Sequence, residues 1–252
     1  MLAVDLFCGL GGWTEGLLAE GYDVIGFDIE EHVYGDMRYP GNLVLQDVLT
    51  LHGRQFKNAD CIVCSPPCQE YSYMAMPWKL AKAKAAAIRA DTTGESLVRL
   101  NRLFNACFRI QAEASLAAGR HIPMVVENVR GAQPWVGRAR WNFGSFYLWG
   151  DVPALMPAAV KAQKFTRLAG KHAVEKETGT KNGNDWFGAG EACSEQRRHG
   201  SKSIGRKAAS AMIAKIPLIL SRHIAATYAS KQFNLLAQDE PAACSSAYGL
   251  CE

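Results

Sequence analysis

The chain has 252 residues, 48% of them apolar, enough for one sizeable core or a core with a small appended domain. No apolar run approaches the roughly 18 residues of a membrane span, and the N-terminal stretch MLAVDLFCGLGGW lacks a basic flank and is interrupted by Asp5, unlike a secretory signal. Net charge is only +4 and the eight cysteines lie mostly inside apolar runs, which argues against a disulfide scaffold and for a soluble, cytoplasmic protein.

Leu2–Phe7 reads as a short apolar strand, broken by Gly9-Leu10-Gly11-Gly12. Trp13–Glu20 has helical spacing and stops at Gly21. Tyr22–Phe27 is a second strand ending in Asp28, Leu43–Leu45 a weak third followed by Asp47, and Cys61–Cys64 a fourth that stops at Ser65-Pro66-Pro67-Cys68. Leu97, Leu100, Leu103, Phe104, Phe108 and Ala112 recur at steps of three or four, which predicts a long helix over Ser96–Ala118. Pro123–Val126 is a fifth strand, running into Glu127-Asn128-Val129. This alternation predicts an open, mainly parallel α/β sheet. Trp141–Trp149 reads as one further strand. Residues 151–203 are polar, Gly-rich and without periodicity, as in a small irregular module or long loops. Helical character returns over 205–228, and the tail from 238 is expected to be loosely held.

Positive charge is localised. Residues 161–207 hold 11 Lys/Arg against 5 acids, and Lys79, Lys82, Lys84 and Arg89 form a second basic stretch with no acid inside it. A solvated surface accounts for many such runs, but a near-neutral body with basic patches also suits a polyanion.

Ligands of open α/β sheets bind at the carboxyl ends of the strands. Gly9 to Gly12, Asp28, Asp47, Cys68 and Glu127 each follow a strand, so five strand ends are expected to converge on one crevice. Gly9 and Gly11 fit the start of a dinucleotide fingerprint, but the third place is Thr14. Asp28 could accept two charge-assisted hydrogen bonds from ribose hydroxyls, which suits an adenosine-bearing cofactor. Pro66 and Pro67 fix φ and donate no backbone hydrogen bond, so Cys68 sits on a stiff perch where its sulfur can be aimed. A thiol is a strong nucleophile, and a carboxylic acid beside it, here Glu127, can protonate a ring nitrogen while sulfur adds to the ring. Cys61, Cys64 and Cys68 have a metal-like spacing, but a strand points the first two to opposite faces and no His pair is near, so no metal is expected.

DLFCGLGG (5–12), SPPCQEYS (65–72) and VVENVRG (125–131), in this order, resemble the cytosine-5 DNA methyltransferases over about residues 2–150 and again near 204–225. The resemblance implies a Rossmann-like S-adenosylmethionine-dependent methyltransferase sheet over 1–150, a small target-recognition module over 151–203, a returning segment over 204–230 and a tail over 231–252. It implies methylation of carbon 5 of a flipped-out cytosine in double-stranded DNA by a monomer. Cys68 would form the covalent adduct, with Glu127, Arg138 and Arg140 beside it. Phe7, Gly9, Gly11, Gly12, Asp28, Asp47 and Pro66 would hold S-adenosylmethionine. Gln69, Ser72, Lys79, Lys82, Lys84 and Arg89 would reach DNA from the catalytic loop, with Arg197 and Arg198, and by extension Trp186 and Phe187, reading it from the module.

Three departures stand out. The family has Gln two places before the first arginine, where this chain has Val136. Its Gly-Asn pair near the last segment is replaced by Ile213-Ala214, and the recognition region is short. Alternatives are an amino-group DNA methyltransferase, since SPPC superficially fits Ser-Pro-Pro-aromatic, the same chemistry on RNA, and a non-catalytic DNA-binding protein on the same fold. A Cys hydrolase would need a His partner, and none of the six histidines has the context of one.

Overall fold

Leu2–Leu6 forms β1, an inner strand of a seven-stranded sheet in the computed structural model, which describes residues 1–72, 78–157 and 203–238. The other strands are β2 (Asp23–Asp28), β3 (Asn42–Leu45), β4 (Cys61–Cys64), β5 (Met124–Asn128), β6 (Trp141–Phe143) and β7 (Phe146–Gly150). Their order is β3-β2-β1-β4-β5-β7-β6. β1 to β5 are parallel, with Ala3 opposite both Val24 and Cys61, whereas β7 runs antiparallel to both β5 and β6. The chain leaves β1 outward through β2 and β3, then returns to β4 on the other side of β1. That reversal opens a crevice at the carboxyl ends of β1 and β4.

Both faces of the sheet are covered, and the strand sequences show why. Val4, Leu6, Ile62 and Cys64 point to one face and Ala3, Cys61 and Val63 to the other, all buried. Phe104, Cys107, Ile110 and Ala114 of α3 (Glu95–Ala118) cover the first face. Trp13 and Leu17 of α1 (Gly12–Ala19), with Leu220, Ile224 and Tyr228 of α6 (Leu218–Gln238), cover the second. A further helix, α5 (Ile204–Ala214), is capped by the Ser203 hydroxyl, which accepts from the Arg206 amide. Among the described residues, no single helix is long and apolar enough to cross a membrane.

α1 and α6 touch through glycine. A Cβ on Gly16 would overlap the Ser221 hydroxyl and the Arg222 backbone amide. Gly16→Ala must therefore push the two helices apart. We expect a loss of about 1–3 kcal/mol, read as a melting temperature lower by roughly 2–12 °C; an unchanged melting temperature would mean that the helices are not packed this closely.

The strands expected from sequence lie within one or two residues of those observed, and β4 coincides. Four elements differ. The stretch Trp141–Trp149 is a hairpin, not one strand, because Gly144 (φ 58) takes the first place of a two-residue turn that needs positive φ. β5 extends to Asn128, so Glu127 lies within the strand, paired across to Leu148. The basic stretch after Cys68 is helical: α2 (Trp78–Ala90) buries Ala81 and Ala85, one turn apart, against the body. Finally, helical character over 205–228 divides at Lys215–Pro217, and α6 continues to Gln238, beyond the expected boundary at 230. The remaining one-turn helix, α4 (Gln133–Val136), carries Val136.

Candidate active site

β1 ends in a turn of unusual backbone. Phe7 (φ 59) is the only non-glycine residue with positive φ among the described residues, and Gly9 (φ 50) and Gly11 (φ 73) follow it. A bulky residue held there costs on the order of 1–3 kcal/mol, and such strain concentrates at ligand clefts. No atom lies within 4 Å of the place where a Gly9 side chain would begin, so its backbone faces open space. Gly11 and Gly12 serve packing. A Cβ on Gly11 would overlap Pro40, and one on Gly12 would overlap the Ile216 amide, which closes the α5–α6 turn onto the glycine turn.

Asp28, at the end of β2, accepts the Gly9 amide on Oδ2 (2.9 Å) and the Ile29 amide on Oδ1 (2.8 Å). Burial pushes its carboxyl up, but the His32 contact and these amides outweigh that and hold it below its ordinary value. Asp47 is exposed and caps the one-turn helix Val48–Thr50, its Oδ1 accepting from the Leu49 amide (2.9 Å).

The loop 65–68 is tied from three sides. The Ser65 amide donates to Leu6 O (3.1 Å), the Trp13 indole donates to the Ser65 hydroxyl (3.0 Å), and the buried Asn128 amide donates to Pro66 O (2.9 Å). Downstream, the Tyr71 and Ser72 amides both donate to Cys68 O, at 3.0 and 2.9 Å. Cys68 is half-buried. Burial first, and the Glu127 charge second, push its thiol up to about 11. The nucleophile candidate and the acid candidate are thus electrostatic neighbours, and the free protein keeps the sulfur protonated.

These pieces line one cleft of about 1080 Å³, at the upper limit of the ~300–1,000 Å³ of small-molecule sites. Phe7, Gly9, Gly12, Asp28, Asp47, Pro66, Cys68, Gln69 and Glu127 all contribute to its wall. Gly11 does not, for the packing reason above. Arg138 and Arg140 lie outside this wall and are exposed; the Arg140 amide pairs with Leu148 O (2.9 Å). The nearby Gln133 Oε1 accepts from the Ala139 amide (3.2 Å) and so holds the irregular segment, just before β6, that carries both arginines.

The basic stretch is partly engaged. Lys84 pairs with Glu70, and the Arg89 guanidinium lies 5.1 Å from the centroid of the Trp135 ring. Lys79 and Lys82 are exposed, and Ser72 lines a small separate cavity beside α2. Trp186, Phe187, Arg197 and Arg198 fall outside the described residues. Among the described residues, no three His, Cys, Asp or Glu side chains cluster as metal ligands.

Sequence reasoning missed several cleft residues: His32 and Tyr34 after β2, Arg102 and Leu103 on α3, and Arg206, Lys207 and Ser210 on α5. None stands in a motif. Only the helical phase of α3 offered a signal, since Arg102 lies two turns before Arg109, whose guanidinium donates to Leu51 O beside the Asp47 turn (2.9 Å).

The sheet order, with the seventh strand antiparallel between the fifth and sixth, and a crevice at the β1/β4 reversal define a Rossmann-like sheet of the S-adenosylmethionine-dependent methyltransferase type. Residues 1–84, the N-terminal third of the chain, match the model of the C-5 cytosine-specific DNA methylases. Among solved structures, it is similar to a protein encoded within an E. coli prophage and described as a DNA modification methyltransferase (23% identity, 52% of this chain and 33% of that one, TM-score 0.34). It is also similar to the S. pombe Dnmt2 methyltransferase (14%, 54% and 37%, 0.33) and to the Entamoeba histolytica methyltransferase EhMeth (18%, 54% and 40%, 0.32). The chain thus spans 33% to 40% of the length of these three structures. No curated protein matches it.

Proposed function

We propose that the protein is a DNA (cytosine-5)-methyltransferase. The observation that carries this reading is the joint placement of Cys68 and Glu127 in the wall of the cleft that also holds Asp28 and the Gly9 turn. Phe7, Gly9, Asp28, Asp47 and Pro66 would hold S-adenosylmethionine. The open backbone at Gly9 and the doubly anchored Asp28 carboxylate fit an adenosine moiety with a vicinal diol. When bound, that cofactor supplies an electrophilic methyl group.

The chain's own residues do the rest. Cytosine must leave the duplex to reach the cleft. The Cys68 thiol gives its proton to the Glu127 carboxylate and the sulfur bonds to carbon 6. The displaced electron pair moves onto the ring, where Glu127, as the acid, delivers a proton to nitrogen 3. Once carbon 5 carries the methyl group, nitrogen 3 returns its proton to Glu127 and carbon 5 gives its proton to water; the 5,6 double bond re-forms and the sulfur leaves as thiolate. By taking the Cys68 proton first, Glu127 loses the charge that opposed the thiolate in the free protein.

Exposed Gln69, Lys79 and Lys82 are suited to DNA beside the cleft. The basic residues of 161–207, Arg197 and Arg198 among them, would add phosphate contacts, and the 151–203 segment would read sequence. Arg138 and Arg140 would meet DNA at the mouth. On this reading the protein would work as a monomer in the cytoplasm. The deciding experiment incubates the protein with labelled S-adenosylmethionine and duplex DNA, with RNA in parallel, and maps product by bisulfite sequencing. We expect label in DNA and protected cytosines at a short recurring sequence. DNA binding without label would favour the non-catalytic reading, and label resistant to bisulfite mapping would favour an amino-group enzyme.

A further inference from the structure

One titratable side chain in the cleft has no part in the reaction just described. His32 lies one helical turn's spacing after Asp28 in sequence, and its Nε2 sits 3.8 Å from Asp28 Oδ1. Its Nδ1 is 3.4 Å from the Tyr34 hydroxyl and 3.8 Å from Glu30 Oε1. His32 and Asp28 are both mostly shielded, with side chains 21% and 13% exposed, and all four residues line the same cleft. The two backbone amides already fix one lone pair on each Asp28 oxygen. The imidazole adds a side-chain contact to a carboxylate that the two amides already orient.

We propose that His32 is a positioning residue for the cofactor: it holds the Asp28 carboxylate toward the ribose diol, and its proton strengthens cofactor binding. This rests on the reading of Asp28 as the ribose acceptor. A ligand that covers Asp28 strips water from a carboxylate, and an adjacent cation offsets that desolvation. The charged and titratable groups facing His32 are Asp28 and Glu30, which favour its protonated form, Lys207 from α5, which opposes it, and Tyr34. The Asp28 contact dominates and raises His32 above its ordinary value. Asp5 lies behind Asp28 and also titrates near neutrality, so a pH profile alone does not identify His32.

The test is calorimetric binding of S-adenosylhomocysteine, which lacks the sulfonium charge, from pH 6 to 8.5, with no turnover involved. Wild type should bind about three- to tenfold tighter at pH 6 than at pH 8.5, since moving a titration midpoint by up to about one pH unit is worth at most about tenfold in affinity. His32→Gln should lose that gain and show a flat profile. His32→Lys, with a permanent cation, should stay tight and flat. Wild-type affinity with wild-type slope in His32→Gln overturns the proposal, as does a slope that persists in it, which would belong to Asp5. If Asp28→Asn abolishes binding while His32→Gln changes nothing, the cofactor reading stands and the His32 role falls. If wild type binds no S-adenosylhomocysteine at any pH, both fall.

Discussion

Cys68→Ser should lower methyl transfer to DNA by at least about a thousandfold, roughly 4 kcal/mol of barrier. Serine retains the size and the loop, whose anchors at Ser65, Pro66 and Asn128 do not involve the side chain at 68. What it loses is the sulfur nucleophile, and a hydroxyl in the same place is far harder to ionise than a thiol. The assay is label transfer, together with capture of wild type on 5-fluorocytosine DNA as a complex stable to denaturant, which the serine variant should not form. Full activity of Cys68→Ser would end the covalent account and leave an amino-directed enzyme.

Glu127→Gln separates the two roles assigned to the acid. Glu127 opposes the thiolate in the free protein, where burial and this charge push the thiol up to about 11. Removing the charge should therefore make Cys68 alkylate faster with iodoacetamide. Methyl transfer should nonetheless fall about 10²- to 10⁴-fold, the usual worth of a positioned acid. Slower alkylation, or retained transfer, would contradict the pairing.

The second large effect concerns stability. Asp5 is fully buried in β1; its Oδ2 accepts from the Thr14 hydroxyl (2.7 Å), which is itself 2.7 Å from the Tyr39 hydroxyl, and its Oδ1 has no hydrogen-bond partner among the described residues. Burial is the main cause that raises its carboxyl from 3.8 to about 7. A group raised on folding contributes stability that is complete below its unfolded value and lost as pH rises through the folded one. Wild type should therefore lose up to roughly 4 kcal/mol between about pH 4 and pH 8, because each pH unit separating the unfolded and folded values is worth about 1.4 kcal/mol. Asp5→Asn, which cannot ionise, should escape that loss and exceed wild type at pH 8 by more than at pH 5. Urea unfolding of both proteins at each pH measures the difference. His32 has the same sign near neutrality and cancels in the comparison. A difference independent of pH would mean that Asp5 is not buried as a charge.

Much of the site could be read without a structure because its signals are local. β4 coincides with the expected strand since Cys61–Cys64 is apolar on both faces and Pro66-Pro67 cannot continue a ladder. Asp28, Cys68 and Glu127 were identifiable because a parallel sheet delivers the carboxyl ends of its strands to one edge, whatever the loops do. Glu127 was misplaced by one element, from loop to strand, because pairing with β7 extends β5, and that partner lies about twenty residues away in sequence.

Chain order and residue chemistry by themselves determined the alternating α/β architecture, the family motifs and the principal acid, thiol and glycine turn. Only the tertiary structure decided that Lys84 and Arg89 are engaged by Glu70 and Trp135, that Arg138 and Arg140 stand outside the cleft, that Asn128 clamps the thiol's loop, and that His32 and α5 help to wall the cleft. The physical reason is range. Strand ends and turns follow from neighbours a few residues apart, whereas an ion pair, a stacked guanidinium or a buried unpaired carboxylate depends on which distant surfaces the packed sheet brings together.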